Sequence, residues 1–310
     1  MRVQKIRLRR SKPVDGLIKD PVKCNDGQVK LILLGTGNPF GGFQRARPSA
    51  ILIAGNSYFL IDCGSGVVQR LLQAGIFPAQ INDIFFTHHH ADHNAGFIDF
   101  IYTSCFPREI GRREKMLTVH GPTNSREILG KMRQSLDYDF KSRPSFSKDI
   151  TEINYHQSDE GLVYNKGGVR VTAFEVDHGN YSPAVGYLFE YGGKKIVFSG
   201  DTRPCDGIEK YSKDADVLVH ESYNRKFVEL TGTIYGNSDT GTIITNAKKK
   251  HTSTEELAGL ASRSKVAHLV LTHHIPSITP EREVEKEYIE GMDKIYKGII
   301  TVGRDLMLLS

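Results

Sequence analysis

The sequence THHHADHNAG, residues 87–96, places four histidines and one aspartate between Thr87 and Asn94. It follows an apolar run and precedes a turn of small residues. Imidazoles and a carboxylate packed together are costly to remove from water unless a cation compensates them. His88 and His90 can point the same way and share one ion, while Asp92 and His93 on the following turn can face a second ion. The stretch therefore predicts a metal site.

Composition limits the class of protein. The chain has 310 residues, 39% hydrophobic and 25% charged, with a net charge of +5. These values are typical of a globular protein with a large core and argue against extended disorder. The charge allows contact with anionic substrates but lacks the concentrated basic stripe of a dedicated nucleic-acid binder. The basic runs KIRLRR near the start and KKK at Lys248–Lys250 are more typical of solvated surface.

The cysteines and the N-terminus bear on the cellular location. No CxxC spacing is present, so neither a disulfide scaffold nor a cysteine zinc site is indicated. The four cysteines are expected to be free thiols in a reducing compartment. The basic N-terminus has no apolar signal-peptide core, and no window approaches the length of a membrane span. We expect a cytoplasmic protein without membrane contact, although a signal peptide already removed would leave no trace.

The order of predicted elements indicates one α/β domain. A polar lead, residues 1–28, precedes the buried strand VKLILLGTG. Two hairpins are predicted, one turning at Gly55 and Asn56 and the other at Gly192 and Gly193. Strands then alternate with helices such as VEKEYIEGMDKIY, and ITVGRDLMLL reads as the last strand. Residues 29–310 are thus expected to form a single domain, a four-layered αββα sandwich of two mixed β-sheets flanked by helices.

Further ligand-type residues follow other predicted strands: His178 in VDHG, Asp201 in SGDT and His273 in LTHH. Strand ends in α/β layers open onto one crevice, where residues distant in sequence converge. Each of these three also closes an otherwise ordinary strand, so a purely structural role stays open. A lone histidine in an apolar strand, such as His120 or His268, is more typical of packing than of metal binding.

The combined ligand set indicates the metal and its number. Imidazole and carboxylate suit Zn²⁺, with Mn²⁺ or Fe²⁺ as substitutes. Seven ligands exceed the needs of one tetrahedral zinc, so we expect two ions. A pair about 3.5 to 4 Å apart holds a bridging hydroxide, because metal binding lowers the pKa of water from about 15.7 towards 7. The set is His88, His90, Asp92, His93, His178, Asp201 and His273.

These residues carry a resemblance. THHHADH matches the HxHxDH signature of the metallo-β-lactamase fold superfamily. LGTGNP, FLIDCG, VDHG, SGDT, VHES, HTSTEE and LTHHIP follow in the order found in its branch of tRNase Z and the zinc arylsulfatases, from about Val29 to the end. The resemblance implies that His88, His90 and His178 hold the first zinc, that Asp92, His93 and His273 hold the second, and that Asp201 bridges them.

Three other positions resemble residues of the branch that support the metal site. Asp62 in FLIDCG resembles a carboxylate that orients ligand histidines, although an aspartate also commonly closes a strand into a glycine turn. Glu221 and His251 resemble a catalytic pair in which the glutamate orients the histidine. A histidine held in this way can protonate a poor leaving group. His251 also directly precedes Thr252 and Ser253, candidates to cap the following helix.

The sequence departs from tRNase Z in two places. Phosphodiesterases of that type carry a long arm between DHG and GDT, whereas His178 and Asp201 lie only 23 positions apart here. The HEAT pattern is replaced by HESY. Residues 138–168 and 223–250 are the longer inserts, and we expect these loops to shape substrate choice. Their side chains can line a pocket or simply pack: Tyr138, Phe140, Arg143, Phe146, Tyr223, Arg225 and Lys226.

The leading hypothesis is a dinuclear zinc-dependent hydrolase acting on a small anionic phosphodiester or sulfate ester, aryl or cyclic. One alternative is a tRNA 3′-processing endoribonuclease of tRNase Z type, with RNA as partner. Another is a hydrolase of lactones, β-lactams or thioesters. A non-enzymatic binding module is disfavoured because all seven ligands are present. Members of this branch are commonly dimers, so a homodimer is one expectation.

Overall fold

The structure is a computed structural model and describes residues 27–40, 44–106, 113–143, 151–234 and 240–310. The predicted lead segment 1–28 lies almost wholly outside the described residues, as do Cys24 and Phe146. Cys63, Cys105 and Cys205 form no disulfide bond within the described residues. No helix within the described ranges is long and apolar enough to cross a membrane.

The described strands form two seven-stranded sheets. In chain order they are β1 (Lys30–Gly35), β2 (Ser49–Ala54), β3 (Ser57–Ile61), β4 (Asp83–Phe85), β5 (Leu117–Gly121), β6 (Ile153–Gln157), β7 (Gly161–Lys166), β8 (Val169–Glu175), β9 (Val185–Tyr191), β10 (Lys194–Phe198), β11 (Val217–Tyr223), β12 (His268–Ile275), β13 (Ile299–Val302) and β14 (Met307–Leu309). The first sheet has the order β14-β1-β2-β3-β4-β5-β6 and the second β13-β12-β11-β10-β9-β8-β7. Both mix parallel and antiparallel pairs.

The helices lie between these strands in the chain. They are α1 (Val67–Gln73), α2 (Ala91–Asn94), α3 (Phe97–Cys105), α4 (Ser125–Gln134), α5 (Asp137–Lys141), α6 (Asp206–Tyr211), α7 (Arg225–Ile234), α8 (Thr240–Lys250), α9 (Thr254–Arg263), α10 (Arg282–Tyr288) and α11 (Met292–Ile295). A short 3-10 helix spans Pro78–Gln80. Ser253 caps α9, with its hydroxyl accepting from the Glu256 backbone amide.

The apolar side chains form three layers because the central strands are buried on both faces. In β1, Leu31 and Leu33 point between the sheets, while Ile32 and Leu34 point toward the helices on the outer face of the first sheet. A third cluster joins the second sheet to its own helices. Strands buried on both sides read as continuous apolar runs, as KLILLG does. The predicted four-layered αββα sandwich is confirmed.

Both predicted hairpins are confirmed. Ala54 pairs with Ser57 across the Gly55–Asn56 turn, and Tyr191 pairs with Lys194 across the two glycines. The prediction of one final strand was wrong. Residues 299–302 join the second sheet and residues 307–309 join the first.

Between residues 299–302 and 307–309 the chain crosses from the second sheet to the first. This crossing depends on charged residues in the middle of the predicted strand ITVGRDLMLL. Arg304 binds the Glu285 carboxylate with Nε at 2.7 Å. The Asp305 carboxylate accepts from the Thr36 amide at 3.0 Å. These contacts bind the segment between the two sheets, so it cannot continue as one strand.

Three further expectations needed correction. The predicted helix VEKEYIEGMDKIY is two helices, α10 and α11, because Gly291 adopts a φ of 85° between them. The insert 138–168 contains most of α5, the edge strand β6 and β7, and the insert 223–250 is mostly α7 and α8. Both inserts therefore carry regular structure rather than long loops.

Candidate metal centre

The first group of ligand-type atoms forms where β4 ends and the chain turns toward α2. His88 Nε2 lies 3.0 Å from His90 Nδ1. His178, which follows β8, places its Nε2 3.2 Å from the same His90 atom. Asp201, which follows β10, has its Oδ2 3.9 Å from His88 Nε2. One ligand atom from each of these four residues lies within 4.8 Å of the others.

The second group lies beside the first and shares Asp201 with it. His273 Nε2 is 3.3 Å from Asp92 Oδ2 and 3.2 Å from Asp201 Oδ2. His93 Nε2 is 3.3 Å from Asp201 Oδ1. Asp92, His93 and His273 form a second set within 4.8 Å. The structure thus brings together all seven residues predicted as ligands, with Asp201 between the two groups.

The outer hydrogen bonds fix which ring nitrogens face the centre. His93 Nδ1 donates to Asp62 Oδ2 at 2.8 Å. His178 Nδ1 donates to the Lys250 carbonyl at 3.0 Å. His88 Nδ1 lies 3.1 Å from the Thr87 hydroxyl, which itself donates to Asp62. Each of these three rings therefore carries a proton on Nδ1 and turns its Nε2 toward the centre.

The arrangement fits divalent cations. Zinc-to-nitrogen bonds of about 2.0 to 2.1 Å place the ligands of a tetrahedral site roughly 3.4 Å from one another. The measured separations run from 3.0 to 3.9 Å. His93 Nε2 and Asp201 Oδ1 are buried 3.3 Å apart, and neither makes a well-formed hydrogen bond within the described residues. Convergent nitrogen lone pairs and carboxylate oxygens are a donor set that a cation would satisfy.

The choice between the two histidines of LTHH is made by a β-bulge. The pairing of β11 with β12 shifts at Glu221, so that His273 has no partner across the ladder. His273 adopts a left-handed φ of 46°, which turns its ring toward the centre. His274 points away and places Nε2 3.0 Å from the Gly303 carbonyl.

The bulge is held by the loop after β1. Asn38 is buried and donates from Nδ2 to the His274 carbonyl at 2.7 Å. The His274 amide donates to the Thr36 carbonyl at 3.2 Å. Arg45 donates from Nη1 to the Gly303 carbonyl at 2.6 Å, behind the His274 ring. These bonds keep the strained His273 backbone in place.

The end of α8 supports the other side of the site. Its last carbonyl, that of Lys250, accepts the His178 bond described above. Gly179 adopts a φ of 67°, and a Cβ there would lie 2.7 Å from the Lys249 carbonyl. Only glycine allows α8 to approach the His178 loop this closely.

The electrostatics of the site follow from burial and from its mixture of charges. Burial and then the charge of His178 lower the pKa of His90 to about 4. Burial, followed by the charge of His93, lowers the pKa of His88 well below its usual value. Burial also opposes ionisation of Asp201, but the neighbouring His273 and His93 outweigh it and hold its pKa well below the usual range. Burial opposes a charge on His93, but Asp201 and Asp62 outweigh it and raise the pKa of this ring well above its usual value. Metal binding requires neutral imidazoles around an ionised carboxylate, so a cation would have to displace a proton from His93.

The predicted Glu221 and His251 pair is present at the edge of the second group. His251 Nδ1 lies 3.0 Å from Glu221 Oε1, and one His251 ring nitrogen lies within 4.8 Å of ligand atoms of Asp201 and His273. Burial and then Asp201 raise the pKa of Glu221 well above its usual value. Burial lowers the pKa of His251. Because Nδ1 is engaged by Glu221, the Nε2 atom is the one that faces the site.

Two open clefts flank His178. The basic cleft, about 860 Å³, lies beside His251 and has no carboxylate in its lining. The acidic cleft, about 660 Å³, lies beside Tyr181 and includes Glu160, Asp177 and Asp206. The basic cleft is lined by Asn38, Pro39, Phe40, Gly179, Asn180, Arg203, Asn246, Ala247, Lys249, Lys250, His251 and Ile275.

Of the side chains expected from the inserts, those within the described residues line neither cleft. Phe146 lies outside the described residues. Phe140 and Tyr223 are buried in apolar clusters, where their area stabilises the fold. Arg143 pairs with Asp139. Arg225 and Lys226 pair with Glu229 and Glu290, respectively. Tyr138 is 90% exposed, away from both clefts.

Sequence reasoning missed several residues around the site. Asn38 lies in LGTGNP, but its bond to His274 spans 236 positions and has no local signature. Lys249 and Lys250 were assigned to solvated surface, although their position directly before His251 was a usable signal. Tyr181 packs against His90 with ring centroids 4.0 Å apart and was likewise not identified.

The fold is an αββα sandwich of two β-sheets, and histidines and aspartates converge at the ends of its strands. Together these features define a metal-dependent hydrolase of the metallo-β-lactamase fold. Among solved structures, the fold resembles YhfI from Bacillus subtilis, with a TM-score of 0.67, 18% identity and coverage of 91% of this chain and 98% of that one. It also resembles the short form of human tRNase Z, with a TM-score of 0.64, 19% identity and coverage of 91% and 98%. These likenesses concern the fold.

Sequence comparison gives the family. Residues 29–289 match the family described as "Anti-Pycsar protein Apyc1", and the chain belongs to that family. A curated relative, Ribonuclease Z of Mycobacterium bovis, is 31% identical over 286 residues, which cover 90% of this chain and 96% of the relative. Ribonuclease Z of Mycolicibacterium gilvum is 31% identical over 261 residues, covering 82% and 87%. The predicted superfamily and branch are confirmed.

Proposed function

We propose that this chain hydrolyses phosphodiesters with two zinc ions bound by the seven converging residues. The observation that carries the proposal is the set of inward ring nitrogens around Asp201, three of which are oriented by bonds on their outer side. His88, His90 and His178 would hold one ion, and Asp92, His93 and His273 the other, with Asp201 shared. A bound pair of such ions supplies an activated water and stabilises the charge that develops on the phosphate.

The residues of the chain supply orientation and a proton. Asp62 and the Lys250 carbonyl hold His93 and His178 with Nε2 directed inward. The Glu221 carboxylate holds Nδ1 of His251, so a proton at Nε2 points to the position of the departing oxygen. Proton donation matters most when the leaving group is a poor one, such as an alkoxide. This favours ester bonds of phosphate over activated carbonyl compounds.

The first substrate candidate is a small phosphodiester. Two clefts border the ligand cluster, and a phosphodiester has two substituents to place. The 23 positions between His178 and Asp201 are filled by the β9–β10 hairpin, so no long arm for a large RNA extends there.

The second candidate is the 3′ trailer of a tRNA precursor. It is favoured by the curated relatives named Ribonuclease Z. The alignment covers 96% of the Mycobacterium bovis relative. The short β9–β10 hairpin is therefore no argument against a likeness to proteins named Ribonuclease Z. The homodimer and the cytoplasmic location both stay predictions.

The test is hydrolysis by zinc- and manganese-loaded protein of a matched panel. The panel contains an aryl phosphodiester, an aryl sulfate, a lactone, a β-lactam and a tRNA precursor with a 3′ trailer. Asp92→Ala removes a ligand-type carboxylate. Asp83→Ala is the matched control, because it removes a carboxylate that binds His120 at 2.9 Å outside the cluster.

Turnover of either phosphodiester that is lost in Asp92→Ala and kept in Asp83→Ala supports the proposal. The preferred member of the panel then separates the small-ester candidate from the RNA candidate. Preferential turnover of the sulfate ester, lactone or β-lactam would contradict the phosphodiesterase proposal. Equal loss of activity in Asp92→Ala and Asp83→Ala would also contradict it.

A further inference from the structure

The basic cleft contains cations without partners. Lys249 and Lys250 line it, and neither ammonium has a hydrogen bond or an ion pair among the described residues. Asn180 and Asn246 add amide groups that make no side-chain hydrogen bond within the described residues, and Phe40 is 93% exposed at the rim. A cleft with unpaired ammonium groups and no carboxylate in its lining favours an anionic ligand.

The acidic cleft on the other side of His178 has the opposite character. Four carboxylates line it, those of Glu160, Glu175, Asp177 and Asp206, against the cations Lys210 and Arg203, of which Arg203 is paired with Asp177 at 2.7 Å. A phosphodiester centred on the ligand cluster would therefore meet different electrostatic environments at its two substituents. An anionic substituent is favoured in the basic cleft and disfavoured in the acidic one.

The proton donor lies in the basic cleft. His251 lines that cleft, and Lys250 is close enough for its charge to act on the imidazole. The oxygen that receives the proton of His251 is the leaving oxygen. The substituent in the basic cleft is consequently the leaving alcohol, and the substituent on the acidic side stays attached to the phosphate.

We propose that Lys249 and Lys250 form an anion-binding subsite for the leaving group, so that the enzyme prefers phosphodiesters whose leaving alcohol carries its own negative charge. This inference rests on the proposed phosphodiesterase function. In the reaction, water adds to phosphorus, the bond from phosphorus to the leaving oxygen breaks, and that oxygen takes a proton. The products are an anionic alcohol in the basic cleft and a phosphomonoester.

The test compares two methyl phosphodiesters with leaving groups of the same shape, 3-hydroxybenzoate and 3-hydroxybenzamide, on the zinc-loaded protein. Exposed ion pairs contribute about 0.2 to 1 kcal/mol each. Two lysines should thus favour the carboxylate in kcat/KM by roughly twofold to thirtyfold. Lys249→Gln with Lys250→Gln should bring the ratio to about one. The bond to His178 persists, because it uses the backbone carbonyl of Lys250.

Lys248→Gln is the matched control, since Lys248 is exposed on the same helix but does not line the cleft. It should keep the wild-type ratio. A second readout is binding of free 3-hydroxybenzoate by saturation-transfer NMR, which the double variant should lose and the control should keep.

The outcomes separate the two proposals. If neither ester is hydrolysed, the phosphodiesterase proposal fails, and the NMR comparison still decides the subsite. A ratio near one in the wild type overturns the subsite. A ratio that is unchanged in the double variant also overturns the subsite. If the melting temperature of that variant falls at the same time, the lysines only stabilise the carboxyl end of α8.

Discussion

The exchange of Asp62 for asparagine should weaken zinc binding without removing any ligand. The Asp62 carboxylate accepts from the Thr87 amide at 2.8 Å, from the Thr87 hydroxyl at 2.9 Å and from His93 Nδ1 at 2.8 Å. An asparagine can keep the first bond with its oxygen. Its NH₂ group would then face two donors.

The conflict is relieved if His93 moves its proton to Nε2. That tautomer lets Nδ1 accept from the new amide, but it blocks the nitrogen that faces the centre. A lost charge-assisted hydrogen bond corresponds to about 1.5 to 3 kcal/mol. Outer partners of metal-binding histidines typically contribute roughly 10- to 100-fold in metal affinity. We expect Asp62→Asn to weaken one of the two zinc sites by this factor.

The assay is competition for zinc against a chromophoric chelator, with stoichiometry and both dissociation constants fitted. Asp83→Asn is the control, because it makes the same exchange in another carboxylate–histidine pair, the one with His120. Circular dichroism checks that both variants are folded. Two zinc ions bound by Asp62→Asn with wild-type affinities would refute the reasoning.

Three further predictions follow from individual contacts. Gly179→Ala should lower zinc affinity and activity together, since its Cβ would push the end of α8 away; unchanged zinc titration would contradict this. His251→Ala should slow hydrolysis of alkyl phosphodiesters by about 10²- to 10⁴-fold but that of nitrophenyl esters far less, and equal loss for both would exclude a proton-donor role. Asp159 accepts from the Thr123 amide at 2.7 Å. Burial raises the pKa of Asp159, but bonds from Gln157 and Thr123 lower it below 3.8 overall. Its contribution to stability is thus present above that pH and is lost as the pH falls through the lowered value. The free energy of unfolding of Asp159→Asn should therefore fall less than that of the wild type as the pH is lowered. Parallel curves of unfolding free energy against pH would contradict this.

Much of the fold was predictable because the chain repeats simple patterns. Strands buried on both faces gave apolar runs, and paired glycines marked the second hairpin. The final segment was not predictable in the same way. Its apolar residues suit one strand, and only contacts of Arg304 and Asp305 with distant residues show that it crosses between sheets.

The seven ligand-type residues were predictable because they follow strands and match an ordered series of motifs. Their supporting contacts were not. The bond from His178 to the Lys250 carbonyl spans 72 positions and uses a backbone atom, which leaves no trace in residue type. The bulge that selects His273 over His274 depends on Asn38, 236 positions from His274. Such contacts arise only when segments distant in the chain pack together.

The central claim is that the seven residues bind two divalent ions. The most direct test is anomalous diffraction at the zinc edge from crystals of the zinc-loaded protein. The account predicts two peaks, one among His88, His90 and His178 and the other among Asp92, His93 and His273, with Asp201 between them. A single peak, or peaks away from these residues, would contradict it.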